Sequence, residues 1–214
     1  MTKQKYIYVV LIKAKTGLGK FCRVFNQYEY THIAVSLDRT MDDFVTFSRK
    51  FHYAPFCAGF MHEKREHYAF GSHKATKVKV YRLPVSEENY KKICTYVKRI
   101  EADEAYVFNF YGMLTMPFLH GLRIFKAHNC MSFVGKIIEL SEAVEMEKPF
   151  YRYNIPETDR LLQAFPSRVF ALKKKKNDSF YMRKIGFTEN IKYCIRLNVQ
   201  LIYRMIFKRN EYYE

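Results

Sequence analysis

The sequence predicts an α+β fold that ends in a basic amphipathic helix. Three observations carry this expectation. The first part of the chain is a series of strand-like segments with no helical period between them. From Ser86 the apolar period changes to that of a helix. After four consecutive lysines at 173–176 the composition shifts again, to a basic segment with helical patterning.

Each element can be justified in order. Residues 5–12 (KYIYVVLI) are β-branched and aromatic and form an opening strand, and TGLG at 16–19 is a turn. Residues 29–38 (EYTHIAVSLD) make a second strand. Ile33, Val35 and Leu37 point to one face, and His32, Ala34, Ser36 and Asp38 to the other. Residues 55–62 and 77–83 read as further strands, while the folded path of 40–76 is otherwise not set by any period. From Ser86 to Glu101, Tyr90, Ile93, Val97 and Ile100 recur at helical spacing, and Glu87 and Glu88 suit a first helical turn. Residues 105–128 are aromatic and irregular, broken by Gly112, Pro117 and Gly121. A second helix starts near Asn129, a competent N-cap. Pro156 opens a short helix, and RVFAL at 168–172 is a late strand. The chain is thus read as a body, residues 1–172, and a basic extension, 173–214. The extension holds 11 Lys and Arg against four Asp and Glu. Lys192, Arg196, Gln200, Arg204 and Lys208 recur every four residues, which predicts a basic stripe on an amphipathic helix.

Composition narrows the function classes. With 214 residues and 49% hydrophobic content the chain can bury a real core, so it is not a disordered protein. A net charge of +16 favours anionic partners without choosing among nucleic acid, lipid and wall polymer. The five cysteines are odd in number and include no CxxC pair, which fits reduced thiols and a cytoplasmic location better than a disulfide scaffold. The basic N-terminus lacks a small-residue cleavage site and reads as strand, and no uncharged apolar stretch is long enough to span a bilayer.

Two residues carry the chemical reading. Cys130 falls in the first turn of a helix, directly after its cap, where the partial positive charge of the helix N-terminus favours a thiolate, the competent nucleophile. His32 lies on a strand face with Ala34 and Ser36, whose small side chains leave room for the cysteine helix to approach. The bland alternatives are a small core cysteine and a histidine satisfied by a backbone carbonyl.

THIAVSLD, followed about a hundred residues later by NCMSFVGKII, resembles the permuted papain-like enzymes of the NlpC superfamily, which include lecithin:retinol acyltransferase and the YiiX-like bacterial proteins. In that group the histidine strand precedes the cysteine helix. The cysteine motif maps onto Cys130, Ser132, Phe133 and Val134, and the likeness covers about residues 5–172. It implies a permuted papain-like fold, with an antiparallel sheet packed against the nucleophile helix. It also implies a thiol hydrolase or acyltransferase acting on a peptide, amide or lipid ester without a cofactor. Family members orient the imidazole with a polar residue on a neighbouring strand. Glu63 is the first choice for that role, a plain surface carboxylate being the alternative. Asp38 is too far along the strand from His32, by about 20 Å. The oxyanion would be met by the backbone N–H of Cys130, and the resemblance offers Tyr8 as an assisting donor.

Other signals fail. HEKREH at 62–67 has Glu66 where a zinc-binding HExxH motif needs histidine, so no metal is expected. TGLGKF departs from a phosphate loop at Ala14 and Phe21. Cys57 and Cys94 read as core, and Cys22 and Cys194 have no assignment. No nucleic-acid motif is present, so no specific nucleic-acid partner is expected. The extension can pack on the body, mediate association, or lie on an anionic membrane surface, which would make the protein peripheral at the inner membrane face. The competing functional class is therefore a non-catalytic module that binds anionic lipid or nucleic acid.

Overall fold

The computed structural model describes residues 4–14, 28–175, 178–209 and 211. The expected turn at 16–19 and Cys22 lie outside them. Among the described residues eight strands form in chain order: β1 (Lys5–Ile12), β2 (His32–Ser36), β3 (Phe44–Phe51), β4 (Ala54–Glu63), β5 (Ala75–Val85), β6 (Val107–Phe108), β7 (Ala127–His128) and β8 (Ser167–Lys173). The helices are α1 (Arg65–Tyr68), α2 (Glu87–Ala102), α3 (Phe110–Leu114), α4 (Met116–Leu119), α5 (Cys130–Ser141), α6 (Ile155–Leu161) and α7 (Phe187–Phe207), with a 3-10 turn at Phe150–Arg152.

The fold is α+β, and its main sheet is six-stranded in the order β4-β3-β2-β1-β5-β8. Every neighbouring pair is antiparallel. The apolar β1 strand sits inside the sheet, paired with β2 on one side and β5 on the other, as expected of a segment buried on both faces. One face is covered by α2 and α5. Val9, Leu11, Ile33, Val35 and Phe47 meet Ile93 and Val97 of α2 and Phe133, Val134 and Ile137 of α5 in the largest apolar cluster. A second cluster gathers Tyr8, Val10, Ile12, Ala34, Phe44 and Tyr68 on the opposite parity of the strands. Asp159 joins α6 to the sheet, accepting hydrogen bonds from Lys79 and from the Tyr81 hydroxyl.

Most boundaries match the sequence expectation to within two residues. The differences lie where pairing, not local pattern, sets the structure. Residues 44–51 form β3, which pairs with β4 from Phe44↔Glu63 to Phe51↔Ala54. Residues 105–128 hold the two-residue strands β6 and β7, which pair in parallel, and two short helices. After β8 the chain returns over the body. Tyr181 is buried, its carbonyl accepts from the His52 N–H, and Asp178 pairs with His67. The α7 helix forms, but its stripe is not uniformly basic at the surface: Arg204 turns inward and donates to the carbonyls of Ala105, Phe125 and Lys126. Among the described residues no helix is long and apolar enough to cross a membrane.

Candidate active site

The cysteine helix begins where its sequence dictates. Asn129 has extended backbone geometry, its side chain accepts from the Ser132 N–H, and the Ser132 hydroxyl accepts from the Asn129 N–H. This capping box satisfies the third orphan N–H of the helix. The N–H groups of Cys130 and Met131 stand ahead of the i→i−4 ladder and have no partner within it. Cys130 is thus the first helical residue, and it is 8% exposed.

His32 is the first residue of β2, opposite Ile12, the last of β1. Its Nε2 donates to Glu63 Oε2 at 2.7 Å, and the Cys130 side chain is in hydrogen-bond contact with the imidazole. With Nε2 committed to the carboxylate, Nδ1 is the nitrogen left for the sulfur. Glu63, the last residue of β4, is buried. Its Oε2 also accepts from the Tyr68 hydroxyl at 2.8 Å, and its Oε1 accepts from the Ser48 hydroxyl at 2.6 Å. Glu63 is therefore not a plain surface carboxylate.

The electrostatics follow from this arrangement. Burial alone would lower the His32 pKa. The charge of Glu63 and the hydrogen bonds of the imidazole with Cys130 and Glu63 outweigh it, and His32 is raised from 6.5 to about 10. Burial alone would raise Glu63. The His32 charge and the three donors outweigh it, and the carboxyl is lowered to about 2. The pair is thus charged at neutral pH, an imidazolium held against a carboxylate.

The structure brings together Cys130, His32 and Glu63. It does not bring Tyr8 to them. Tyr8 pairs with Ser36, four residues and so about 14 Å along the strand from His32, and packs with Val10 and Ala34 in the second apolar cluster. The expected approach of the helix also needs correction. The α5 helix packs on the Ile33 and Val35 face, not over Ala34 and Ser36. His32 is the first residue of β2, one residue ahead of the Ile33 and Val35 face that α5 covers. Asp38 is occupied in its own turn, accepting from the Thr40 and Met41 N–H groups. Cys57, Cys94 and Cys194 are half-buried, so the core assignment of Cys57 and Cys94 does not hold.

Three residues that the sequence left unassigned support the site. Ser48 and Tyr68 hold Glu63, but they come from β3 and α1, elements whose existence the local pattern did not reveal. His128, two residues before Cys130, is buried between Tyr106, Tyr96 and Phe133. Its ring hydrogen-bonds the Ser132 and Tyr96 hydroxyls. Burial, aided by the charges of Lys136 and Arg123, pushes its pKa down to about 3, so it stays neutral and steadies the helix start. The aromatic residues before NCMSF were its only signal.

Among the described residues no group of three or more His, Cys, Asp or Glu is placed to hold a metal ion. His62 instead pairs with Asp43 and Glu101. No family model, curated protein or solved structure matches the chain.

Proposed function

We propose that this chain is a thiol hydrolase or acyltransferase of the permuted papain-like type, with Cys130 as nucleophile, His32 as its proton partner and Glu63 as the residue that orients the imidazole. One observation carries the reading: a cysteine at the first position of a capped helix touches a histidine whose other nitrogen donates to a buried carboxylate. The other buried histidine beside the helix start, His128, bonds the Tyr96 and Ser132 hydroxyls and no carboxylate.

The mechanism follows from the charges. His32 holds its proton at neutral pH, and the attacking species is the Cys130 thiolate, the form in which a cysteine is nucleophilic. The sulfur attacks the carbonyl carbon of an amide or ester. The oxyanion that forms is met by the N–H groups at the start of α5, which no helical carbonyl uses. His32 then protonates the leaving amine or alcohol, and a thioester remains on Cys130. As a neutral base, His32 next draws the proton from water or from a second acceptor, whose oxygen or nitrogen resolves the thioester. Peptides, amides and lipid esters are the substrate class.

Iodoacetamide labelling at neutral pH with mass mapping tests the assignment. Cys130 is expected to react first. Labelling at Cys57 or Cys94 while Cys130 stays inert would overturn it. Cys130→Ala should abolish turnover of activated ester or thioester substrates with the unfolding transition kept, and His32→Ala should abolish it while lowering the unfolding midpoint, because buried Glu63 loses its cationic partner.

A further inference from the structure

We infer that the outer face of α7 is a docking surface for an anionic lipid bilayer, on which the helix lies in the membrane plane. Neither Cys130 nor His32 enters this inference, so it stands or falls apart from the thiol chemistry.

The inner side of the helix is fastened to the body. Leu197 and Leu201 are buried against Val107, Ile124 and Ala127, the Tyr111 hydroxyl donates to Asn198 Oδ1, and Arg204 donates to three backbone carbonyls. These contacts fix which side faces out. On that side Phe187, Ile191, Ile195, Val199, Ile202 and Ile206 recur at spacings of three and four residues and are 42–80% exposed. So continuous an apolar stripe on one helix is a contact surface awaiting an occupant.

Charge selects the occupant. The exposed Lys192 and Arg196 border the stripe, Glu189 is the only acidic residue of the helix, and the chain carries +16 overall. A second copy would bring a like-charged border against this one, whereas an anionic headgroup layer complements it. The helix is about 31 Å long at 1.5 Å per residue, but its central basic residues and its fixed inner face suit an in-plane position.

Flotation of the full chain with vesicles tests this. Phosphatidylcholine vesicles containing about 30 mol % phosphatidylglycerol should carry the protein, and pure phosphatidylcholine should not. Lys192→Gln with Arg196→Gln should weaken binding about 25-fold, at roughly fivefold per lost charge. Ile195→Glu with Ile202→Glu should weaken it at least about a hundredfold with the unfolding midpoint unchanged. Both positions are exposed, so the fold does not depend on them. Failure of the wild type to float with anionic vesicles, or full binding by the isoleucine variant, overturns the inference. So does a wild-type dimer in sedimentation that the isoleucine variant dissociates while vesicles bind neither, because the face is then a protein interface.

Discussion

Glu63 receives hydrogen bonds from His32, Ser48 and Tyr68, so its two oxygens are fully engaged in a buried setting. Removing the carboxylate strands a buried cation. Glu63→Ala should cost about 3–5 kcal/mol of stability, read from the denaturation midpoint. Glu63→Gln keeps the volume and takes away the charge that lifts His32. For the wild type, loss of the His32 proton should make turnover fall as pH rises through about 10. In Glu63→Gln that alkaline limb should move toward the ordinary histidine value of 6.5. A limb left in place by the substitution would show that Glu63 does not act through His32. Stability carries its own pH signature. His32 is raised on folding, so its contribution is complete below pH 6.5 and fades as pH climbs through about 10. Glu63 is lowered on folding, so its contribution is complete above pH 4.5 and fades as pH falls through about 2. Thermal unfolding across pH should therefore show a plateau between about 4.5 and 6.5 that declines on both sides.

At the scale of elements, the start of α5 is the critical local structure. Asn129→Ala removes the side-chain half of the capping box, the acceptor of the Ser132 N–H, and should cost about 1 kcal/mol in chemical denaturation. It should lower the rate of Cys130 alkylation as well, because the first turn no longer holds the sulfur against His32. Further along, α5 presses against the 150–152 turn. A Cβ on Gly135 would meet the Phe150 carbonyl oxygen at 2.6 Å, so Gly135→Ala should destabilise by roughly 1–3 kcal/mol, again from denaturation. These helices were legible because local rules write them. Asn129 followed by Ser132 marks a cap, and Ile93, Val97 and Ile100 mark a buried stripe. By contrast, β3 (FVTFSRKF) places Arg49 and Lys50 in a half-exposed stretch that dilutes its alternation, and only pairing with β4 makes it a strand. The two-residue strands β6 and β7 are invisible locally, since their hydrogen bonds join segments about twenty residues apart.

At the scale of the whole molecule, the order of parts was legible and the way they face was not. A histidine strand early and a cysteine helix late can be read from THIAVSLD and NCMSFVG. Which sheet face the helix would cover depends on total apolar area: Ile33 and Val35 win it over Ala34 and Ser36, as hydrophobic burial requires. Tyr8 was misplaced for the same reason. The basic periodicity of the C-terminal helix likewise missed that Arg204 is a fastener. Arg204→Ala should leave the sheet intact and speed amide hydrogen exchange across 187–207 relative to the body. Unchanged exchange across 187–207 would mean that Leu197, Leu201 and the Tyr111–Asn198 hydrogen bond hold the helix without Arg204.

The donors to Glu63 come from three different segments, the head of β2, the middle of β3 and the end of α1. The same carboxylate that sets the acidity of the histidine therefore also staples distant stretches of chain. Laboratory evolution toward a different working pH could not adjust one property alone. Winning variants should arrive with compensating substitutions among those three segments, and a winner altered at position 63 alone should melt early.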